Sequence, residues 1–354
     1  MTLLSGISNS GIAAFAGGRN ARAVGLWLLV IAGLVFALVV VGGATRLTQS
    51  GLSMVDWRPI TGVVPPLTAE QWAEEFDAYR QYPEYKLVNR GMSLDEFKAI
   101  FWWEYAHRLL GRLVGIAFAV PLIVFLVRGM VPPGLAPRLV GLFLLGGAQG
   151  LLGWYMVQSG LVSEPDVSQY RLTAHLTLAL VIFAALIWTA LDLLRHARPG
   201  AGAGLRRFAY ATVGLIFLQI MMGGLVAGLD AGRAYNTWPL MAGALVPPGL
   251  FEITPWWLNL FESTLTVQFN HRVGAYVLTF ASIGAVVWSV RTQAGASTQR
   301  AALMLLVAIV LQMLIGVLTL IYEVPVSLGV LHQAMGALVL AAGVNFAHRA
   351  RGRR

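Results

Sequence analysis

The sequence predicts an all-α integral membrane protein of eight transmembrane helices, built as two pseudo-twofold-related four-helix bundles. Three observations predict it: eight apolar runs near 20 residues, loops whose charge alternates in sign, and a set of four motifs that occurs twice in the same order. A bilayer core about 30 Å thick calls for a helix of about 20 apolar residues. Lipid offers the backbone no hydrogen-bond partners, so every span has to satisfy its own backbone as a helix. The 354 residues are 57% hydrophobic and 12% charged, roughly half the charged fraction of a soluble domain. Thirty-nine glycines suit helices that approach closely in lipid. The absence of cysteine excludes disulfides, thiolate ligands and thiol catalysis.

The spans are expected at 24–42, 104–127, 138–158, 172–194, 206–228, 266–290, 301–321 and 327–347. Residues 1–18 do not read as a cleaved signal, because Arg19 and Arg22 follow them instead of preceding an apolar run. The first long apolar run is therefore expected to stay as a span. The arginines of the short loops and of the C-terminus, from Arg19 and Arg22 through Arg128, Arg138, Arg195, Arg198, Arg206, Arg207, Arg291 and Arg300 to Arg349, Arg351, Arg353 and Arg354, share one side. Of the 16 acidic residues only Asp192 joins them. The positive-inside rule puts that side, with both termini, in the cytoplasm. The net charge of +9 thus reads as a topology signal and not as a nucleic-acid surface. Two outer loops are long. Residues 45–103 contain Thr68-Ala-Glu-Gln71 and Ser93-Leu-Asp-Glu96, both of capping-box form, so short surface helices are expected, the second running into the second span. Residues 229–265 form the other. Tryptophans in or beside both loops read as an interfacial belt.

The chain repeats itself. Gly42-Gly43 matches Gly223-Gly224, and Glu104-Tyr-Ala-His-Arg108 matches Gln268-Phe-Asn-His-Arg272. Gln149 and Gly153 match Gln312 and Gly316, and His175 matches His332. A unit of four spans is even, so both copies insert the same way up and the expected symmetry axis follows the membrane normal. The halves are residues 1–200 and 201–354.

Four of the six histidines, His107, His175, His271 and His332, fall one each on spans two, four, six and eight, toward the outer end. His196 and His348 sit among cytoplasmic arginines and read as interfacial. An ionisable residue inside a membrane helix usually faces the bundle interior. Imidazole is the commonest metal ligand and a standard axial ligand of haem iron. Pairing His107 with His175, and His271 with His332, gives two candidate bis-histidine sites. Four residues after each histidine stands a small residue, Gly111, Ala179, Ala275 or Gly336. Positions i and i+4 share a helix face, so a flat macrocycle would find clearance there. Arg46, Arg108, Arg112, Arg171 and Arg272 lie near the outer ends as candidate partners for propionates, or as snorkelling interfacial residues. Glu104 precedes His107 by one turn and its counterpart Gln268 cannot ionise. Either the first half does chemistry that the second does not, or Glu104 simply pairs with Arg108.

Over nearly its whole length the chain resembles the heme A synthase family. The residues that carry the resemblance are Gly42-Gly-Ala-Thr-Arg-Leu-Thr-Gln-Ser-Gly-Leu-Ser53, Glu104-Tyr-Ala-His-Arg-Leu-Leu-Gly-Arg112, Gly223-Gly-Leu-Val-Ala-Gly228 with Asn236-Thr-Trp-Pro239, Phe269-Asn-His-Arg272, His175 and His332. The resemblance implies an oxidoreductase that converts the methyl group of haem O to a formyl group through hydroxymethyl intermediates, giving haem A for terminal oxidases. It implies that His107 and His175 face the substrate haem, that His271 and His332 ligate a haem B cofactor, and that Glu104 is catalytic. The missing cysteines place the chain in the cysteine-free branch of proteobacteria and mitochondria, and the short N-terminus favours a bacterial inner membrane with the haem sites toward the periplasm. Expected partners are haem O, an electron donor, the haem O-producing farnesyltransferase, oxidase assembly factors and membrane lipid; a homo-oligomer is compatible with the sequence. Two rivals stand beside this reading: a dihaem b-type electron-transfer cytochrome, which leaves Glu104 unexplained, and a parallel-repeat transporter, which would show polar groups at the midplane.

Overall fold

The computed structural model describes residues 18–58, 61–161, 165–196 and 199–352. The reading of the N-terminal segment, and Arg198, Arg353 and Arg354, lie outside the described residues. Eight helices among those described are long and apolar enough to cross a membrane. In chain order the helices are α1 (Arg19–Leu47), the short outer helices α2 (Ala69–Tyr79) and α3 (Pro83–Leu87), α4 (Leu94–Val127), α5 (Ala136–Val157), α6 (Gln169–Leu194), α7 (Ala203–Gly228), the one-turn α8 (Asn259–Glu262), α9 (Thr264–Arg291), α10 (Ala296–Ile321) and α11 (Val326–Arg351). The description contains no β-strand, only an isolated bridge between Met241 and Ala244. The eight expected spans are all present, each extended by a few residues. The exception is the second, where the Ser93 capping box starts a helix of 34 residues that runs through the membrane without a break. The Thr68 capping box likewise opens α2.

The contacts follow the repeat. In the first half α1 packs on α4 and α6, and α5 on α4 and α6; in the second α7 packs on α9 and α11, and α10 on α9 and α11. Between halves α6 packs on α7, α11 on α1, and α6 on α11. The first two of these are equivalent pairs under exchange of the halves, as a twofold requires. The buried core runs along this seam through Val24, Leu28, Ile31, Leu186, Leu193, Leu340 and Phe346. The opposite faces carry exposed apolar side chains such as Ile116, Ile123, Phe280 and Met304, as lipid-facing helices do.

At the arginine-rich end Asp192 is buried among three basic side chains, Arg138 at 3.2 Å, His348 at 3.1 Å and Arg351. This explains the single acidic residue on that side. It also revises the interfacial reading of His348, which is buried and edge-on to Trp188. At the other end Tyr79, Phe97, Phe101 and Tyr105 build a separate aromatic core under α2. Trp72 packs into it, 4.9 Å from Phe101, whereas Trp256 and Trp257 are exposed as belt residues are.

Candidate functional site

The four histidines share one construction. Each ring lies against a glycine of the neighbouring span: His107 against Gly42, His175 against Gly153, His271 against Gly223 and His332 against Gly316. A Cβ built on those glycines would stand 2.7, 2.8, 3.1 and 2.7 Å from the ring's Cε1. Only glycine leaves room for an imidazole at that depth. In the second half the ring centres of His271 and His332 are 6.4 Å apart, with planes at 78°.

A cavity of about 310 Å³ opens beside this second pair. His271, His332, Gly223, Gly316, Ala275 and Gly336 line it, with Arg46, Asp230 and Arg272 among the polar lining residues. The two small residues expected to give clearance in this half are therefore at the cavity wall, and in the first half the Gly111 Cβ position faces open space.

The residues present fit a haem. Nδ1 of His107 and of His332 is buried without a hydrogen-bond partner, which leaves an imidazole nitrogen wanting a proton or a metal. Metal–imidazole bonds of about 2 Å on either side of an ion put two ring centres about 6 Å apart, the separation found. Among the described residues no group of three or more His, Cys, Asp or Glu side chains assembles, so a bare ion finds no ligand set.

The sequence-predicted residues divide in two. Glu104 is buried, and three donors converge on its carboxylate: Ser53 Oγ at 2.7 Å, the Met54 amide at 2.8 Å and Arg108 at 2.6 Å. Both readings of Glu104 thus meet, since it pairs with Arg108 and yet sits inside the fold one turn from His107. Arg108 also donates to the Met54 and Asp56 carbonyls, and Arg272 donates to the Tyr235 and Thr237 carbonyls. Met54 and Asp56 follow Gly42 by 12 and 14 residues, as Tyr235 and Thr237 follow Gly223. The two arginines are equivalent clamps on equivalent loops. Gln268 completes its clamp through the Tyr235 carbonyl at 3.1 Å. Arg112 donates to the Arg58 carbonyl. Arg171 lies over the Tyr155 ring and donates to its carbonyl. Of the five arginines, Arg46 and Arg272 line the second-half cavity. Arg46 reaches it across the seam and is fixed by Asp230 at 3.0 Å, so it serves the half opposite to the one its position in the sequence suggested.

Sequence reasoning missed a glutamine. The Gln219 amide nitrogen lies 3.1 Å from His271 Nδ1 and 2.9 Å from the His271 carbonyl. Gln149 stands in the same relation to His175 at 3.1 and 3.0 Å. The signal was the position four residues before each glycine.

Fold and site define a class: a multi-pass, all-helical membrane protein with glycine-backed histidines on four of its eight spans. The chain belongs to the family described as cytochrome oxidase assembly protein, whose pattern it matches over residues 25–344. A protein of Parvibaculum lavamentivorans called heme A synthase is 54% identical over 330 residues, covering 93% of this chain and 95% of its own length. Proteins of the same name from a Chelativorans species and from Nitrosospira multiformis are 52% and 49% identical, covering 91% and 93% of this chain.

Proposed function

We propose that this protein oxidises the ring methyl of haem O to a formyl group, making haem A. The first half, residues 1–200, takes the substrate between His107 and His175. The second half, residues 201–354, holds haem B between His271 and His332. The orientation is that of the arginine rule, with both termini in the cytoplasm of a bacterial inner membrane and the histidines toward the periplasm. The observation that carries the reading is the pair of like-built histidine sites whose flanking position is a buried carboxylate, Glu104, in one half and an amide, Gln268, in the other.

The chain's own contribution is to orient and to place charge. The histidine rings, set by Gly42 and Gly153, would orient the substrate, and Gly111 leaves open space on its helix face. Glu104 supplies a fixed negative charge one turn from His107, where positive charge develops as the methyl carbon is oxidised. Ser53, Met54 and Arg108 hold the carboxylate in one geometry. Arg46 and Arg272 at the second cavity are placed to pair with propionates. Haem B, when bound, supplies one-electron transfer. Haem O, an electron donor and the farnesyltransferase that makes haem O are the partners this activity needs; oxidase assembly factors would receive the product.

The test is co-expression with a haem O-producing enzyme in a host without haem A, followed by chromatographic typing of extracted haem. Formyl-bearing haem is expected. Haem B alone, two per chain, would make the protein an electron-transfer cytochrome.

A further inference from the structure

A second cavity, of about 160 Å³, lies at the arginine-rich end, away from the four glycine-backed histidines. Three chain segments line it: Arg195 and His196 after α6, Ser297 in the first turn of α10, and His348 and Arg349 in the last turn of α11. Four of these side chains are basic, and none of the described lining residues is acidic. One cation near a helix C-terminus is ordinary, because it answers the helix dipole. Four basic groups around one concave space are not, because low-dielectric walls focus a field of one sign. The α10 wall adds to that field. This helix opens at Gly295, which brings no side-chain cap, and its first turn holds no acidic residue.

The halves differ in charge at this level. Asp192 on α6 and Arg349 on α11 hold one register, 17 residues after His175 and His332. Arg138 on α5 and Ala301 on α10 hold another, 11 residues before Gln149 and Gln312. In the first half Arg138 closes onto the Asp192 carboxylate at 3.2 Å. The second half has a cation in place of that carboxylate and an alanine in place of that cation. The Asp192 oxygens are engaged by Arg138, His348 and Arg351.

We propose that this cavity binds a phosphate group, that of an anionic phospholipid or a free phosphate, which supplies in the second half the negative charge that Asp192 supplies in the first. Guanidinium groups pair with phosphate oxygens through two parallel hydrogen bonds. A helix N-terminus suits the same anion. Basic pockets between helices on the cytoplasmic side, where the orientation proposed above puts this end, bind anionic headgroups. Arg195 is steadied beside the cavity by the neutral Asn345 side chain, to which it donates at 2.7 Å. A ligand here joins α6, α10 and α11, so it acts on the seam between the halves and not on the histidine sites.

The test is thermal unfolding of the purified full-length holoprotein in a neutral detergent. Separate arms add phosphatidylglycerol, phosphatidylcholine, or sodium phosphate against sodium chloride at equal ionic strength. A ligand that binds only the folded state raises the melting temperature in a saturable way. Phosphatidylglycerol is expected to do so and phosphatidylcholine is not. A saturable rise with sodium phosphate alone would keep the site and make its ligand a free phosphate. Arg349→Gln should raise the half-saturating concentration about 10-fold, the usual size of one lost charged hydrogen bond. Ser297→Asp puts a carboxylate into the cavity and should abolish the response, which keeps the proposal falsifiable if Arg349→Gln does not fold. Arg128, exposed at the end of α4 and outside the cavity, is the control, and Arg128→Gln should leave the response unchanged. No saturable rise in any arm, or an unaltered response in Arg349→Gln and Ser297→Asp, would overturn the proposal. Equal weakening by Arg349→Gln and Arg128→Gln would overturn it too, by reducing the effect to general surface charge.

Discussion

The two halves each have four spanning helices, two glycine-backed histidines and an arginine clamp on the loop after the first helix. Among their differences, three stand out. Glu104 faces Gln268, Leu38 faces Gln219, and at the far end of α6 Asp192 occupies the register held by Arg349 in α11. The first exchange puts a charge beside one site only. The second removes a ring-holding amide from that same site. The third is unrelated to the histidine sites and ties the halves together. On the proposed function, the shared glycine-backed histidines would position a flat cofactor in each half, and the Glu104/Gln268 exchange would separate the copy that reacts from the copy that stays loaded.

The sharpest way to break this comparison is at its charged difference. Glu104→Gln keeps the shape and two of the three hydrogen-bond partners but removes the charge. Formyl haem is expected to fall about 100-fold or more, the range for losing a positioned charged or proton-handling group, while haem B content stays constant. Ser53→Ala removes one donor and leaves the charge, so its product yield should fall by only a few-fold. If both variants fall equally, Glu104 acts as a loop clamp and the halves do not differ in the way described.

The seam between halves comes next. Asp192→Asn removes the buried carboxylate that Arg138, His348 and Arg351 share. Breaking a buried charge network costs about 3–5 kcal/mol. A drop of several degrees in the melting temperature of the purified protein is expected, with loss of formyl haem and haem B together rather than of one of them. Selective loss of either haem would show that the network belongs to one half.

The smallest effect concerns the long outer loop of the first half. Burial pushes the Glu84 carboxyl up to about 7, and Tyr79 donates to it at 3.0 Å. The folded loop keeps this proton at pH values where an unfolded chain has lost it. Its contribution is complete below the ordinary carboxylate value and declines as pH rises through about 7. Melting temperature should therefore fall from pH 5 to pH 8 more steeply in wild type than in Glu84→Gln. Parallel slopes would remove Glu84 from the account.

Much of this was legible in the sequence because its causes are local or periodic. Span length, arginine placement, the Ser93 and Thr68 boxes, the four histidines and the small residues after them are all set by spacing along one helix. What could not be read depends on the backbone or on distance. Met54, Asp56, Tyr235 and Thr237 act through carbonyls, which leave no mark in residue identity. His348 and Asp192 meet across 156 residues. Arg46 is in the first half by sequence and at the second half's cavity by packing. Gln219 was legible in principle, but the repeat was anchored on Gly42 and Gly223, and the residue one turn earlier differs between the copies.

The division of labour is tested most directly by typing the haem retained by His107→Ala and by His271→Ala, each purified from cells that make haem O. The account predicts that His271→Ala loses haem B, and that His107→Ala keeps haem B while losing haem O and haem A. Loss of the same haem from both variants would contradict it, because the two pairs would then serve one site.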